Sequence, residues 1–166
     1  TLHIIFIRCI HFISNIKNIN LLPSKKVNEF WFVTISSYYP HKNLDIINEI
    51  VDILSDNDID VKIKFILTLP HDLFIKKFNY NSPLILNVGP VDLKDCPYLY
   101  SKSDALFLPT LVESFTASYP EAMIMKKPIL TSDYQFAKTV CTDSALYFDP
   151  YNINDVVSKI VQIATD

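Results

Sequence analysis

From Glu29 onward, six apolar runs of strand length, at 30–36, 61–68, 84–88, 104–108, 128–131 and 145–148, alternate with stretches of helical period. Strands separated by helices cannot close as tight hairpins, so each connection must cross over and return the chain in the same direction. The runs are almost continuously apolar, as in Val61-Lys62-Ile63-Lys64-Phe65-Ile66-Leu67 and Ala105-Leu106-Phe107-Leu108. That pattern suits a mostly parallel sheet covered on both faces, because strands with an open face alternate polar and apolar residues. Between the first two runs, Leu44, Ile47, Ile50, Val51 and Leu54 recur at helical spacing behind Asn43, read here as an N-cap. Further helices are expected at 95–102, 118–126, 134–140 and 152–165.

The expected architecture is an open, six-stranded, Rossmann-like α/β domain over residues 29–166. Residues 1–28 are expected to form a separate N-terminal segment, a remnant of an upstream domain or a linker. With 166 residues the chain can bury about 70% of its unfolded surface, enough for one domain.

Composition removes several function classes. The chain carries 15 basic and 18 acidic side chains, a net charge of −3, and every basic residue except Arg8 is Lys. It therefore lacks the basic stripe that a phosphate backbone requires, and nucleic acid is not an expected partner. Cys9, Cys96 and Cys141 are odd in number and match neither a C-x-x-C nor a zinc spacing, which fits a reducing, cytoplasmic location. The apolar stretch from Leu2 to Ile13 is 12 residues long and is interrupted by His3, Arg8 and His11. A helical span needs about 20 apolar residues, so any membrane association is expected to be peripheral. Gly89 is the only glycine. Neither a G-x-G-x-x-G turn nor a P-loop can then exist, which excludes the usual dehydrogenase and P-loop NTPase devices. Ser36-Ser37-Tyr38 after the first strand lacks the paired acids of a phospho-receiver.

In an open parallel sheet, ligands bind outside the carboxyl ends of the strands, so the loops after the strands carry the functional argument. After the fourth run the sequence reads Leu108-Pro109-Thr110-Leu111-Val112-Glu113-Ser114-Phe115-Thr116-Ala117-Ser118-Tyr119-Pro120-Glu121-Ala122-Met123. Glu113 falls in the loop and Glu121 one turn into the following helix. Such a turn can aim backbone N–H groups at an anion while the carboxylates accept from hydroxyls, the chemistry of a nucleotide sugar. A structural alternative stands beside this one. Ser118-x-x-Glu121 is also a capping box, in which Glu121 would only tie back to the Ser118 amide, and Glu113 could be a plain surface acid.

The stretch from Glu113 to Met123 resembles the E-x7-E signature of the family-4-type, retaining, nucleotide-sugar-dependent glycosyltransferases, in the C-terminal domain of their GT-B fold. Other segments are similar to that family in the same order: Pro40-His41-Lys42-Asn43-Leu44 to its phosphate-binding Lys loop, Asn87-Val88-Gly89-Pro90-Val91 to its nucleobase turn, residues 98–109 to the helix and strand before the glutamate loop, and Lys127-Pro128-Ile129-Leu130-Thr131-Ser132-Asp133 to the strand beyond it. The resemblance implies that Lys42 neutralises the donor diphosphate, that Glu113 meets the transferred sugar, and that Glu121 accepts from ribose hydroxyls. It places Ser114, Phe115 and Thr116 against sugar or phosphate, Val88, Gly89 and Val91 around the base, and Ser37 beside the diphosphate. It further implies a retaining hexosyl transfer from a nucleoside-diphosphate sugar to a glycan or lipid-linked acceptor in polysaccharide synthesis. No metal or other cofactor is implied, and the acceptor would bind a partner domain of the same protein, without which this half is expected to be inactive.

The chain departs from that family in three places. Ser37 stands where many members place an Arg that shares the diphosphate charge; Thr116 replaces a usual Gly; and Tyr134-Gln135-Phe136-Ala137-Lys138 lacks the family's acidic residue. Two other readings therefore remain at the level of sequence: a non-catalytic nucleotide-sugar-binding or assembly module, and an epimerase or phosphorylase of the same fold. The overlapping D-x-D triplets of Asp56-Asn57-Asp58-Ile59-Asp60 precede a strand, at the wrong end of the sheet for a metal-held diphosphate, and are read as a solvated turn. Phe65, Phe107 and Trp31 are read as core rather than as a stacking platform.

Overall fold

The computed structural model describes residues 21–57, 59–114 and 116–166. Six strands form one sheet: β1 (Glu29–Thr34), β2 (Lys62–Leu67), β3 (Ile85–Asn87), β4 (Ala105–Leu108), β5 (Ile129–Ser132) and β6 (Ala145–Phe148). They lie in the order β3-β2-β1-β4-β5-β6, and every pairing is parallel. Six helices connect or follow them: α1 (Ile46–Asp56), α2 (His71–Lys77), α3 (Cys96–Lys102), α4 (Ser118–Ile124), α5 (Gln135–Cys141) and α6 (Ile153–Thr165). This is the doubly wound arrangement expected from the alternation of apolar runs.

The pleat divides the core in two. Alternate residues of the central strands, Phe32, Phe65, Phe107, Leu130 and Phe148, face α1, α2 and α6. Their neighbours Trp31, Val33, Ile66, Leu106 and Leu108 face α3, α4 and α5. In the first core, the Phe32 and Phe65 rings stack at 5.5 Å, and Phe107 links them to Phe148 through contacts of 5.5 and 5.6 Å. Phe65 and Phe107 are fully buried and Trp31 nearly so, which makes all three core residues. Truncating any one of them to Ala would cost about 3–5 kcal/mol.

Local departures from the sequence expectations have physical causes. Asn43 does not cap α1. It adopts a left-handed conformation (φ 52°) that ends a short 3-10 turn over Pro40–Lys42, and α1 starts three residues later, behind Asp45. Pro pre-sets the start of such a turn and Asn tolerates its left-handed end, so both residues serve the loop. Helix α2 was not expected, because its seven residues bury only Phe74 and show no readable period. The segment before β1 is tied to the domain: Leu22 is buried in the second core, and Lys25 pairs with Asp104. Asp56 and Asp60 flank the connection into β2 at the amino end of the sheet; Asp58 lies outside the described residues. Cys96 and Cys141 are free and buried.

Candidate functional site

Strands β1 and β4 are sheet neighbours, yet the chain leaving β1 turns to α1 on one face and the chain leaving β4 turns to α4 on the other. Helices that diverge from adjacent strands mark the switch point of an open sheet, and ligands of such sheets bind outside the carboxyl ends of the strands there. The two loops beside that point, residues 35–45 and 109–114, are joined by hydrogen bonds. The Leu111 amide donates to the His41 carbonyl at 2.7 Å, and the buried Thr110 hydroxyl lies 3.1 Å from both the His41 and Val112 carbonyls. The 3-10 turn places Lys42 at its last position. Its ammonium forms an ion pair with the Glu113 carboxylate, the two side chains being 15% and 12% exposed. A pair so largely withdrawn from water interacts more strongly than a surface pair, whose typical contribution is about 0–1 kcal/mol.

Glu121 takes a different position from the capping box considered above. Helix α4 begins behind Ala117 without a side-chain cap, and the Ser118 amide donates to the Thr116 hydroxyl at 3.3 Å. The Glu121 carboxylate instead accepts from the Tyr100 hydroxyl of α3 at 3.2 Å. Burial raises its carboxyl above the ordinary value, against the opposing effect of that hydrogen bond. Burial also lifts the Tyr100 hydroxyl, with the Glu121 charge adding to it, and pushes the Cys96 thiol up to about 12. Helix α4 is held by Tyr119, whose hydroxyl lies 2.8 Å from Thr131 Oγ1. The Thr131 hydroxyl itself donates to the Leu108 carbonyl at 2.8 Å, so Tyr119 is the donor of that pair.

The remaining predicted residues fall along the same edge. Ser114 is exposed and Thr116 half-buried in the loop before α4; Phe115 lies outside the described residues. Ser37 is exposed in the loop after β1, its carbonyl accepting from the Ser36 hydroxyl at 3.0 Å. Val88 and Val91 pack against the second core. Gly89 between them has φ +78°, and a Cβ built on it would meet nothing within 4 Å. Glycine is thus demanded there by the backbone, and the space beside it is open. Lys42 and Glu113 meet directly, Glu121 sits with Tyr100, and the Gly89 turn follows the outer strand β3.

Three contributors were not singled out in the sequence. Asn87 clamps the loop after β2, accepting from the Leu69 amide and donating to its carbonyl, both at 2.9 Å; a polar residue closing an apolar strand was the available signal. Thr110 and Tyr100 offered none beyond lying next to the motif. Among the described residues no cluster of three His, Cys, Asp or Glu could hold a metal ion, and no helix is long and apolar enough to cross a membrane.

The family of glycosyl transferases group 1 matches residues 17–166. The chain is 29% identical to the O-antigen chain mannosyltransferase RfbU of Salmonella typhimurium, over 76% of this chain and 36% of that protein. Among solved structures, a trehalose-6-phosphate synthase studied with bisubstrate glycomimetics superposes with a TM-score of 0.76 at 14% identity, covering 95% of this chain and 42% of the other. TarM superposes with a TM-score of 0.65 at 21% identity, covering 92% and 31%. The chain thus spans well under half the length of these proteins.

Proposed function

Because this chain belongs to the glycosyl transferases group 1, we propose that it is the donor-binding half of a two-domain, retaining GT-B transferase. It would bind a nucleoside-diphosphate hexose and present the sugar to a glycan or lipid-linked hydroxyl in polysaccharide synthesis, on the cytoplasmic side of a membrane that it touches at most peripherally. The observation that carries this reading is the meeting of Lys42 and Glu113 at the switch point between β1 and β4, where a cation and a carboxylate are held side by side.

In the mechanism, Lys42 neutralises the diphosphate as it departs. A Lys about 4 Å from a phosphate oxygen gains roughly 4 kcal/mol of Coulomb energy at an effective dielectric near 20, before desolvation is counted. Charge placed in advance at the leaving group lowers the barrier, since no dipoles need to reorganise during bond breaking. The same lysine is engaged by Glu113 in the unliganded chain, so the diphosphate takes over the ammonium and frees Glu113 to accept from hydroxyls of the sugar. Glu121 accepts from the ribose hydroxyls, and the open flank of Gly89 receives the base. Ser37 offers a neutral hydroxyl where an Arg would add charge, so Lys42 and the backbone N–H groups of Ser114 and Thr116 carry the anion. No protein-bound metal takes part. The acceptor and any base acting on it belong to a second domain outside these residues.

Calorimetric titration with UDP, GDP, ADP and CDP tests the reading, repeated on Lys42→Ala and Glu121→Ala. One of the four is expected to bind the wild type, and each substitution to weaken it. Absence of binding at millimolar nucleotide would favour the non-catalytic module to which Ser37 points. Binding that survives both substitutions unchanged would place the site elsewhere.

A further inference from the structure

We infer that Tyr100 is a positioning residue for the donor nucleotide: its buried hydroxyl fixes the Glu121 carboxylate in the orientation that accepts a ribose diol. The inference rests on the reading of Glu121 as the ribose acceptor. Tyr100 lies on α3 and is fully buried in the second core, to which Tyr119 and Ala122 of α4 also belong. The hydroxyl reaches the first turn of α4 at two points, the Ser118 carbonyl at 3.4 Å and Glu121 Oε2 at 3.2 Å. Of these two acceptors the carboxylate is both the nearer and the stronger.

The consequence is geometric. A glutamate on the surface of a short helix samples several rotamers, whereas one tied to a rigid, fully buried phenol is held in one. An ionised carboxylate offers about four acceptor sites, and Tyr100 occupies one of them at Oε2, which leaves capacity for the two hydroxyls of a vicinal diol. Tyr100 also counters part of the burial that raises Glu121, so it helps to keep the carboxylate ionised and accepting. Cys96, one turn before Tyr100 on α3 and also buried, adds no charge of its own because its thiol is pushed up to about 12.

The test combines a side-chain change with a ligand change. Tyr100→Phe keeps the ring that fills the core and removes only the hydroxyl. For the one of UDP, GDP, ADP or CDP that binds, affinity is measured against its 2′,3′-dideoxy counterpart. The wild type is expected to prefer the ribonucleotide by about tenfold or more, and Tyr100→Phe to lose most of that preference, weakening the ribonucleotide about five- to tenfold while leaving the dideoxy form unchanged. In Tyr100→Phe, the acid-side loss of ribonucleotide binding is also expected to begin at a higher pH than in the wild type, because Glu121 loses a donor that favours its ionised form. A purely structural hydroxyl would weaken both ligands alike and leave the pH profile in place, and that result overturns the inference. Wild-type discrimination that persists in Tyr100→Phe overturns it as well. A wild type that binds ribo and dideoxy forms equally overturns the reading of Glu121, and the role of Tyr100 with it.

Discussion

The sheet carries a largely buried Lys–Glu pair at each end of its central strands, and the two differ in how they are held. At the amino end, Glu29 of β1 meets Lys64 of β2 at 2.7 Å, with side chains 3% and 13% exposed. Both residues sit on adjacent, hydrogen-bonded strands, two places apart across the register. The other Glu29 oxygen accepts from the Trp31 indole at 3.0 Å and from the Lys26 amide at 3.2 Å. Burial by itself would raise this carboxyl, but the hydrogen bonds from Lys64, Lys26 and Trp31 outweigh it and hold it below the ordinary value. Trp31 in turn donates its backbone amide to Asp104, the partner of Lys25. At the carboxyl end, Lys42 and Glu113 stand on loops 71 residues apart in sequence. The same two residue types thus form a joint between strands at one end and, under the proposed function, a contact that a diphosphate would take over at the other. The difference lies in what else holds the carboxylate: Glu29 is also bound by the Trp31 indole and the Lys26 amide, whereas Lys42 and Glu113 sit on loops whose side chains can rotate to new partners.

The largest effect expected from this contrast is on ligand binding. Lys42→Ala should weaken nucleoside-diphosphate binding by about 3 kcal/mol, on the order of a hundredfold, while chemical denaturation shows a clearly smaller loss of about 1 kcal/mol, since Glu113 sits on a loop and can turn to solvent. An equally large loss of stability would make the carboxyl-end pair a second joint and erase the distinction.

Next in size is the amino-end pair. Glu29→Gln should cost about 2 kcal/mol of folding stability, below the full penalty for breaking a buried pair because Lys64 keeps some contact with water, and nucleotide affinity per folded molecule should not move. The acid dependence follows from the lowered carboxyl. The unfolded chain takes up the Glu29 proton first as pH falls, so this contribution is complete above the ordinary carboxylate value and fades through the lower folded one. Glu121 has the opposite sign: raised by burial, it holds its proton longer when folded, so its effect on stability declines as pH rises through the window above the ordinary value. Denaturation midpoints measured from pH 3 to 8 on wild type, Glu29→Gln and Glu121→Gln should therefore separate the two slopes.

Smaller still is the effect of Glu113→Gln. Removing the carboxylate that competes for Lys42 should tighten binding of the free diphosphate by roughly fivefold, about 1 kcal/mol, even as transfer by the complete enzyme is lost. Weaker binding would show that Glu113 supports the lysine rather than competing with the ligand. The smallest change concerns Ser132, at the carboxyl end of β5, whose buried hydroxyl has no hydrogen-bond partner among the described residues. Ser132→Ala should be neutral or stabilising by up to about 1 kcal/mol in thermal unfolding, because an unsatisfied buried hydroxyl costs more than a methyl group.

Much of the fold was legible because strand and helix periods are local. Each of the six apolar runs became a strand with ends shifted by at most two residues, and the amphipathic patterns of α1 and α6 became the two longest helices. Helix α2 was illegible because seven residues with one buried anchor give no period to read. Asn43 misled because the same side chain serves both an N-cap and a left-handed turn end, and only the preceding Pro40 turn distinguishes them. In the candidate site, Lys42, Glu113 and Glu121 could be picked out by motif, but the capping-box spacing of Ser118 and Glu121 pointed to a contact that the helix does not use. Tyr100 claims that carboxylate from another helix, and nothing within four residues of Glu121 announces it.

The sequence by itself determined the element types and the parallel direction of the strands, since both follow from local periods and from the helices between the strands. Only the tertiary structure decided that β1 and β4 lie side by side, and with that, which loops face each other, which lysine meets which glutamate, and which tyrosine reaches Glu121. The physical reason is that periodic burial is settled within one element, whereas lateral strand order is settled by how all six helices cover both faces of the sheet at once.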